Sequence, residues 1–109
     1  MPSYTLIADL GKQIQVSKDA TLSKIIHHDG NLKVVLFAFG SGQELSKQTV
    51  SGLAILQILQ GNARVTVASD EQELSAGSWL YMEAGVSHAI YARTDLIMLF
   101  TVLTGADPR

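Results

Sequence analysis

Residues 77 to 92 read GSWLYMEAGVSHAIYA, which sets a histidine three residues after a turn glycine and between two runs that alternate as strands do. Successive strand side chains point to opposite faces. Trp79 and Tyr81 therefore share one face of the first run, and Leu80 and Met82 the other. After EAG, His88 falls in step with Ile90 and Ala92, while Tyr91 and Arg93 fall on the opposite face. That arrangement aims His88 toward an apolar interior, as a buried imidazole bonded to a neighbour or as part of a pocket.

The pattern continues in both directions. From Leu22 onward, LSKIIHH, LKVVLFAF, LAILQIL, ARVTVAS, SWLYM, SHAIYAR and LIMLFTVL are β-rich runs separated by turn signals at about ten-residue spacing. Helical periodicity is nearly absent, so the chain reads as an all-β sandwich or barrel of seven or eight short strands. DEQ and TD read as tight hairpin connections, and GSGQELSKQTVSG as a longer polar segment crossing one end of the barrel. Tyr4 to Leu10 is expected to form one helical turn or a short strand, and QIQV an edge strand. Residues 1–30 are an N-terminal arm and first strand that pack on the barrel or on a partner subunit; residues 31–109 are the barrel.

Two runs are apolar on both faces. In Leu53 to Gln60 and in Leu96 to Leu103, alternate positions on either side carry hydrophobic side chains, which calls for a cover on both. The cover is the N-terminal segment or a second subunit, and homodimerisation is the commoner solution. At 109 residues, 47% hydrophobic and 17% charged, the chain has material for one core and no more. Its formal charge of -2 is scattered without runs of one sign, which disfavours nucleic acid and anionic lipid as partners. With no cysteine, no apolar stretch of membrane-spanning length and no signal-peptide core, a soluble cytoplasmic protein is expected.

The spacing in the opening stretch resembles the second motif of the RmlC-like cupin superfamily, of the small conserved-barrel cupin 2 type. Gly77, Gly85 and His88 match it; Glu83 stands where the motif has proline, and Ala92 where it sometimes has asparagine. Upstream, GQELSKQTVSGLAILQILQG resembles the first motif. Gly42 and Gly61 fit its ends, while Gln48 falls at the first histidine, Val50 at the second and Ala54 at the glutamate. The resemblance spans roughly residues 31 to 103. It implies a double-stranded β-helix, the cupin jelly-roll barrel, with degenerate metal motifs, since three of the four usual ligands are missing or changed.

On that alignment the barrel mouth is lined by Gln48, Val50, Ala54, Leu56, Met82 and His88. The reading that follows is a barrel that binds a small molecule, with a degenerate or absent metal site, and the scarcity of converging titratable groups leans against an enzyme without deciding it. One alternative is a metal-dependent cupin enzyme of the oxygenase or isomerase type. It would use His88 and Gln48 to hold a divalent ion (Zn, Ni, Fe or Mn) weakly. A second is a dimeric scaffold with a filled barrel. Gln57, inside an apolar strand, needs a hydrogen-bond partner or an interface. His27 and His28 read as surface histidines beside the turn DGN, with at most one able to join His88. Glu44 and Glu83 read as solvent-exposed turn residues, and Trp79, Tyr81, Phe37, Phe39, Met98 and Phe100 as core. No phosphate loop, dinucleotide fingerprint or activated nucleophile motif is present.

Overall fold

The computed structural model describes residues 3–103 and contains two antiparallel sheets. Strands β1 (Thr21–His28), β2 (Leu32–Phe39), β4 (Ala54–Gln60), β7 (Trp79–Met82) and β9 (Leu96–Leu103) form sheet A in the order β1-β2-β9-β4-β7. Strands β3 (Glu44–Gln48), β5 (Asn62–Val67), β6 (Asp70–Ser75) and β8 (His88–Ala92) form sheet B in the order β3-β8-β5-β6. Successive strands repeatedly change sheet, from β2 to β3, β3 to β4, β4 to β5, β6 to β7, β7 to β8 and β8 to β9. This is a jelly-roll wrapping, and it brings the all-β expectation to a specific architecture.

The inner faces close on one core. Phe39, Leu56, Ile58, Leu96 and Met98 of sheet A meet Ala63, Val65, Ile90 and Ala92 of sheet B, all fully or almost fully buried. Each large side chain so buried stabilises the fold by roughly 1.5–3 kcal/mol. The alternation that marked β8 in the sequence reappears as burial: His88, Ile90 and Ala92 are buried, while Ala89 and Tyr91 are only half-buried.

A second cluster lies on the outer face of sheet A. Leu36, Ala38, Ile97 and Leu99 are buried there under Leu10, Ile14 and Val16 of the N-terminal segment, with Ile26, Val34 and Leu59 at the margins. Two-sided burial of β9 is thus met within the chain along the β2–β9 half of the sheet. The N-terminal segment does this without becoming a strand: QIQV pairs with nothing, and the one regular element before β1 is a 3-10 turn at Leu10–Lys12.

Several connections depart from the expected ones. DEQ is not a turn but the start of β6. The β5–β6 hairpin turns instead at Ala68 and Ser69, Ala68 taking φ 56°. TD does not close a hairpin either, because β8 and β9 belong to different sheets and Thr94 and Asp95 carry the chain between them. Within GSGQELSKQTVSG, residues Glu44–Gln48 form β3, paired with β8. The cause is common to both missed strands. β3 and β6 are edge strands of sheet B with mostly exposed side chains, and edge strands carry the polar composition otherwise typical of turns.

Candidate functional site

The two glycine-rich stretches meet along β3 and β8. Gly42 N–H donates to Ala92 O (2.8 Å), Ala92 N–H to Gln43 O (2.9 Å) and Gly85 N–H to Val50 O (2.9 Å), and Gln48 lies opposite His88 in register. The four glycines that carried the sequence resemblance, Gly42, Gly61, Gly77 and Gly85, are the glycines with positive φ among the described residues, at 84° to 96°. That backbone region strongly favours glycine. At Gly61 a side chain is excluded twice, since a Cβ there would also collide with Asp95 O in the crossing from β8 to β9.

His88 is the one buried polar side chain recorded in the core, 2% exposed. Its ring lies on that of Phe100 from the opposite sheet, centroids 5.2 Å apart and tilted by 37°. Nδ1 stands 3.4 Å from Val86 O, at the outer limit of a hydrogen bond. Nε2 has no hydrogen-bond partner among the described residues, yet no fully buried side-chain nitrogen or oxygen lacks one. The unpartnered nitrogen therefore keeps some contact with open space. A small cavity of about 100 Å³ borders His88 and is lined also by Lys47, Thr66, Ala68, Ser87 and Ala89, of which Thr66 and Ala89 pair on the outer face of sheet B.

The other predicted mouth residues take different places. Ala54, Leu56 and Met82 are buried in the core, with Ala54 opposite Met82 in register and Leu56 opposite Phe100. Val50 is half-buried against that core, and Gln48 is exposed at the end of β3. Among the described residues no three His, Asp or Glu side chains converge as a metal site. At His88 the donor set is one imidazole, with a phenyl ring and apolar strands around it. This set does not fit a tight divalent site, which takes three or four nitrogen or oxygen ligands.

Glu44 and Glu83 are exposed, as their turn-like surroundings led one to expect. His27 and His28 lie on β1, in the other sheet from His88. His27 Nε2 is 2.7 Å from Asp29 Oδ2, while Asp29 Oδ1 accepts the backbone N–H groups of Asn31 and Leu32. The hydrogen bond from His27, then those two amides, hold the Asp29 carboxyl down to about 2. This pair borders an open cavity of about 610 Å³ under the N-terminal segment, lined by Tyr4, Thr5, Ile7 and Ile26 as well. No signal in the sequence pointed to it, because the lining comes from segments about twenty residues apart.

Two residues expected in the core are on the surface. Trp79 and Tyr81 are 60% and 47% exposed on the outer face of β7, while Leu80 and Met82 point inward. Period-two alternation separates the faces of a strand but does not say which face is inner, and here the aromatic face is outer.

Against known structures the chain is similar to a conserved protein of unknown function from Streptococcus pyogenes, with 26% identity over 97% of this chain and 93% of that one and a TM-score of 0.85. A cupin superfamily protein from Desulfitobacterium hafniense DCB-2 shares 26% identity over 87% of each chain, with a TM-score of 0.83. An RmlC-like cupin from Shewanella frigidimarina, at 19% identity and a TM-score of 0.75 over 92% of this chain and 91% of that one, agrees in fold. No family model matches the chain, and no curated protein matches it in sequence. The jelly-roll topology, the β3–β8 pairing of the two glycine-rich stretches and these likenesses together give the chain the fold of a small cupin domain.

Proposed function

We propose that the chain binds a small acidic molecule at the barrel end beside His88, without a resident metal. One observation carries the reading: an imidazole sits in an otherwise apolar core with a single long hydrogen bond and a nitrogen left unpartnered. An imidazole nitrogen that reaches open space from an otherwise apolar core is free to bond a ligand acceptor. Lys47 and Ser87 line a cavity that also borders His88, and supply a cation and a hydroxyl beside it. At about 100 Å³ the space suits a carboxylate, with the remainder of the molecule lying over the mouth.

The test is thermal denaturation with a panel of small mono- and dicarboxylates, followed by imidazole NMR of His88. A binder raises the melting temperature in proportion to the logarithm of its concentration. In His88→Phe, which keeps an aromatic ring against Phe100, the rise is expected to vanish while the ligand-free melting temperature stays within a few degrees. Carboxylates that leave both signals unmoved would overturn the reading. In that case the filled-scaffold alternative gains, since Ala54, Leu56 and Met82 are packed into the core. Stoichiometric metal in the purified protein, lost on His88→Ala, would bring the metal-enzyme alternative forward instead.

A further inference from the structure

Strand β1 carries a β-bulge: Ile25 pairs with Val35 and His27 with Val34, which leaves Ile26 as the extra residue. Neighbours on a regular strand point to opposite faces, and a bulge re-aims them. Ile26 and His27, consecutive in the chain, accordingly both line the cavity of about 610 Å³ under the N-terminal segment, with Tyr4, Thr5, Ile7 and Asp29. The β1–β2 turn uses only one oxygen of Asp29, since Oδ1 accepts the backbone N–H groups of Asn31 and Leu32. Oδ2 takes no part in the turn, and His27 Nε2 stands 2.7 Å from it. With Nε2–H given to Asp29, Nδ1 is left as an acceptor, and it has no hydrogen-bond partner among the described residues.

We propose that this cavity binds a small organic ammonium ion, at a site separate from the barrel end beside His88. Charge decides the sign of the ligand. No lysine or arginine lines the cavity, and its one carboxyl is held down to about 2, first by His27 and then by the two turn amides, so it stays ionised at any ordinary pH. Asp29 Oδ2, His27 Nδ1 and the Thr5 hydroxyl all accept hydrogen bonds, whereas an alkylammonium group carries three N–H donors and no acceptor. An anion would meet the same carboxylate with at most an imidazolium already paired to it. The Tyr4 ring belongs to a residue 76% exposed and offers its face to a cation. Ile7 and Ile26 supply apolar surface for the attached carbon chain. The volume lies within the roughly 300–1,000 Å³ of ligand pockets, room enough for an alkylamine or a lysine side chain.

The test is an NMR titration of the full chain near neutral pH, read at the amides of Asn31 and Leu32, which bond to the Asp29 carboxylate. Butylammonium is expected to move both signals saturably, butanol to bind at least about tenfold more weakly, and butyrate not to bind. Asp29→Asn keeps an acceptor for the turn amides while removing the charge, and is expected to abolish the butylammonium response. Tyr4→Ala is expected to weaken it. Nα-acetyl-lysinamide separates the two sources of such a cation: if it saturates the same signals, a lysine of another protein fits the site, and if only butylammonium does, a free amine fits. Butanol that matches butylammonium, an Asp29→Asn chain that still binds it, or a response confined to His88 would overturn the proposal, as would the lack of any saturable shift. His88 and its cavity share no residue with this site, so failure here leaves the carboxylate reading untouched, and the reverse holds.

Discussion

Across the outer face of sheet B one register row runs Glu44, Tyr91, Arg64, Glu73; across the outer face of sheet A a comparable row runs Trp79, Gln57, Leu99, Leu36, Lys24. The first is a solvated face with its own internal order. Arg64 and Arg93 both sit over the Tyr91 ring, at 5.0 and 5.6 Å, and Arg93 Nε and Nη2 donate to the two carboxylate oxygens of Glu73 at 3.1 and 2.8 Å. That hydrogen-bonded pairing lowers the Glu73 carboxyl below its usual range and raises Arg93 above its own. The second row is apolar except at Gln57 and at Lys24, its far end. A sheet can leave one face to water when that face is polar, and sheet A has no such face. The difference explains why the chain devotes residues before β1 to covering half of sheet A.

The contrast is sharpest for a change placed on each outer face at the same depth in the sheet. Leu36→Ala, on the outer face of β2 yet fully buried under the N-terminal segment, is expected to cost about 2–5 kcal/mol in denaturant titration. Thr66→Ala, on the outer face of β5, is expected to change stability by no more than about 0.5 kcal/mol. Equal effects would mean that the N-terminal segment is not a structural cover. A smaller effect comes from Arg93→Ala, which removes both the bidentate contact to Glu73 and the cation over Tyr91. The partners are largely exposed, so only a slight loss is expected, diminishing with added salt. A loss as large as that of Leu36→Ala would make the charged face as essential as the apolar one.

The smallest effect concerns Asp29 beside β1. Its carboxyl is held down to about 2 in the fold, first by His27 and then by two backbone amides, against an ordinary 3.8. A depressed acid contributes stability above its unfolded value and loses it as pH falls through the folded one. Asp29→Asn is therefore expected to melt slightly lower than the wild-type chain above about pH 4, the gap closing as pH approaches 2. Because the group is at the surface, the shift should be about a degree or two at most. A gap that widens toward low pH would reverse the sign of the contribution.

Much of this architecture was legible in one dimension. β8 is legible because His88, Ile90 and Ala92 alternate with half-buried neighbours, and β2 and β9 because their apolar runs have no other use. The turn glycines are legible because positive φ admits few substitutes, so Gly42, Gly61, Gly77 and Gly85 mark where the chain must bend. The resemblance to the two cupin motifs grouped Gln48 with His88, and the register of β3 and β8 sets the two residues opposite each other. β3 and β6 were hidden, since exposed edge strands have the composition of turns.

By itself, then, the sequence determined the strand period, most of the strands, the bends and the inward aim of His88, all of which depend on residues close together in the chain. Tertiary structure alone decided which face of β7 is inner, which sheet each strand joins, and that Leu10, Ile14 and Val16 cover Leu36, Ala38, Ile97 and Leu99 while Trp79 and Tyr81 stay bare. The physical reason is that alternation distinguishes two faces without ordering them. Which one is buried depends on what else comes to lie against it, and those segments are tens of residues away.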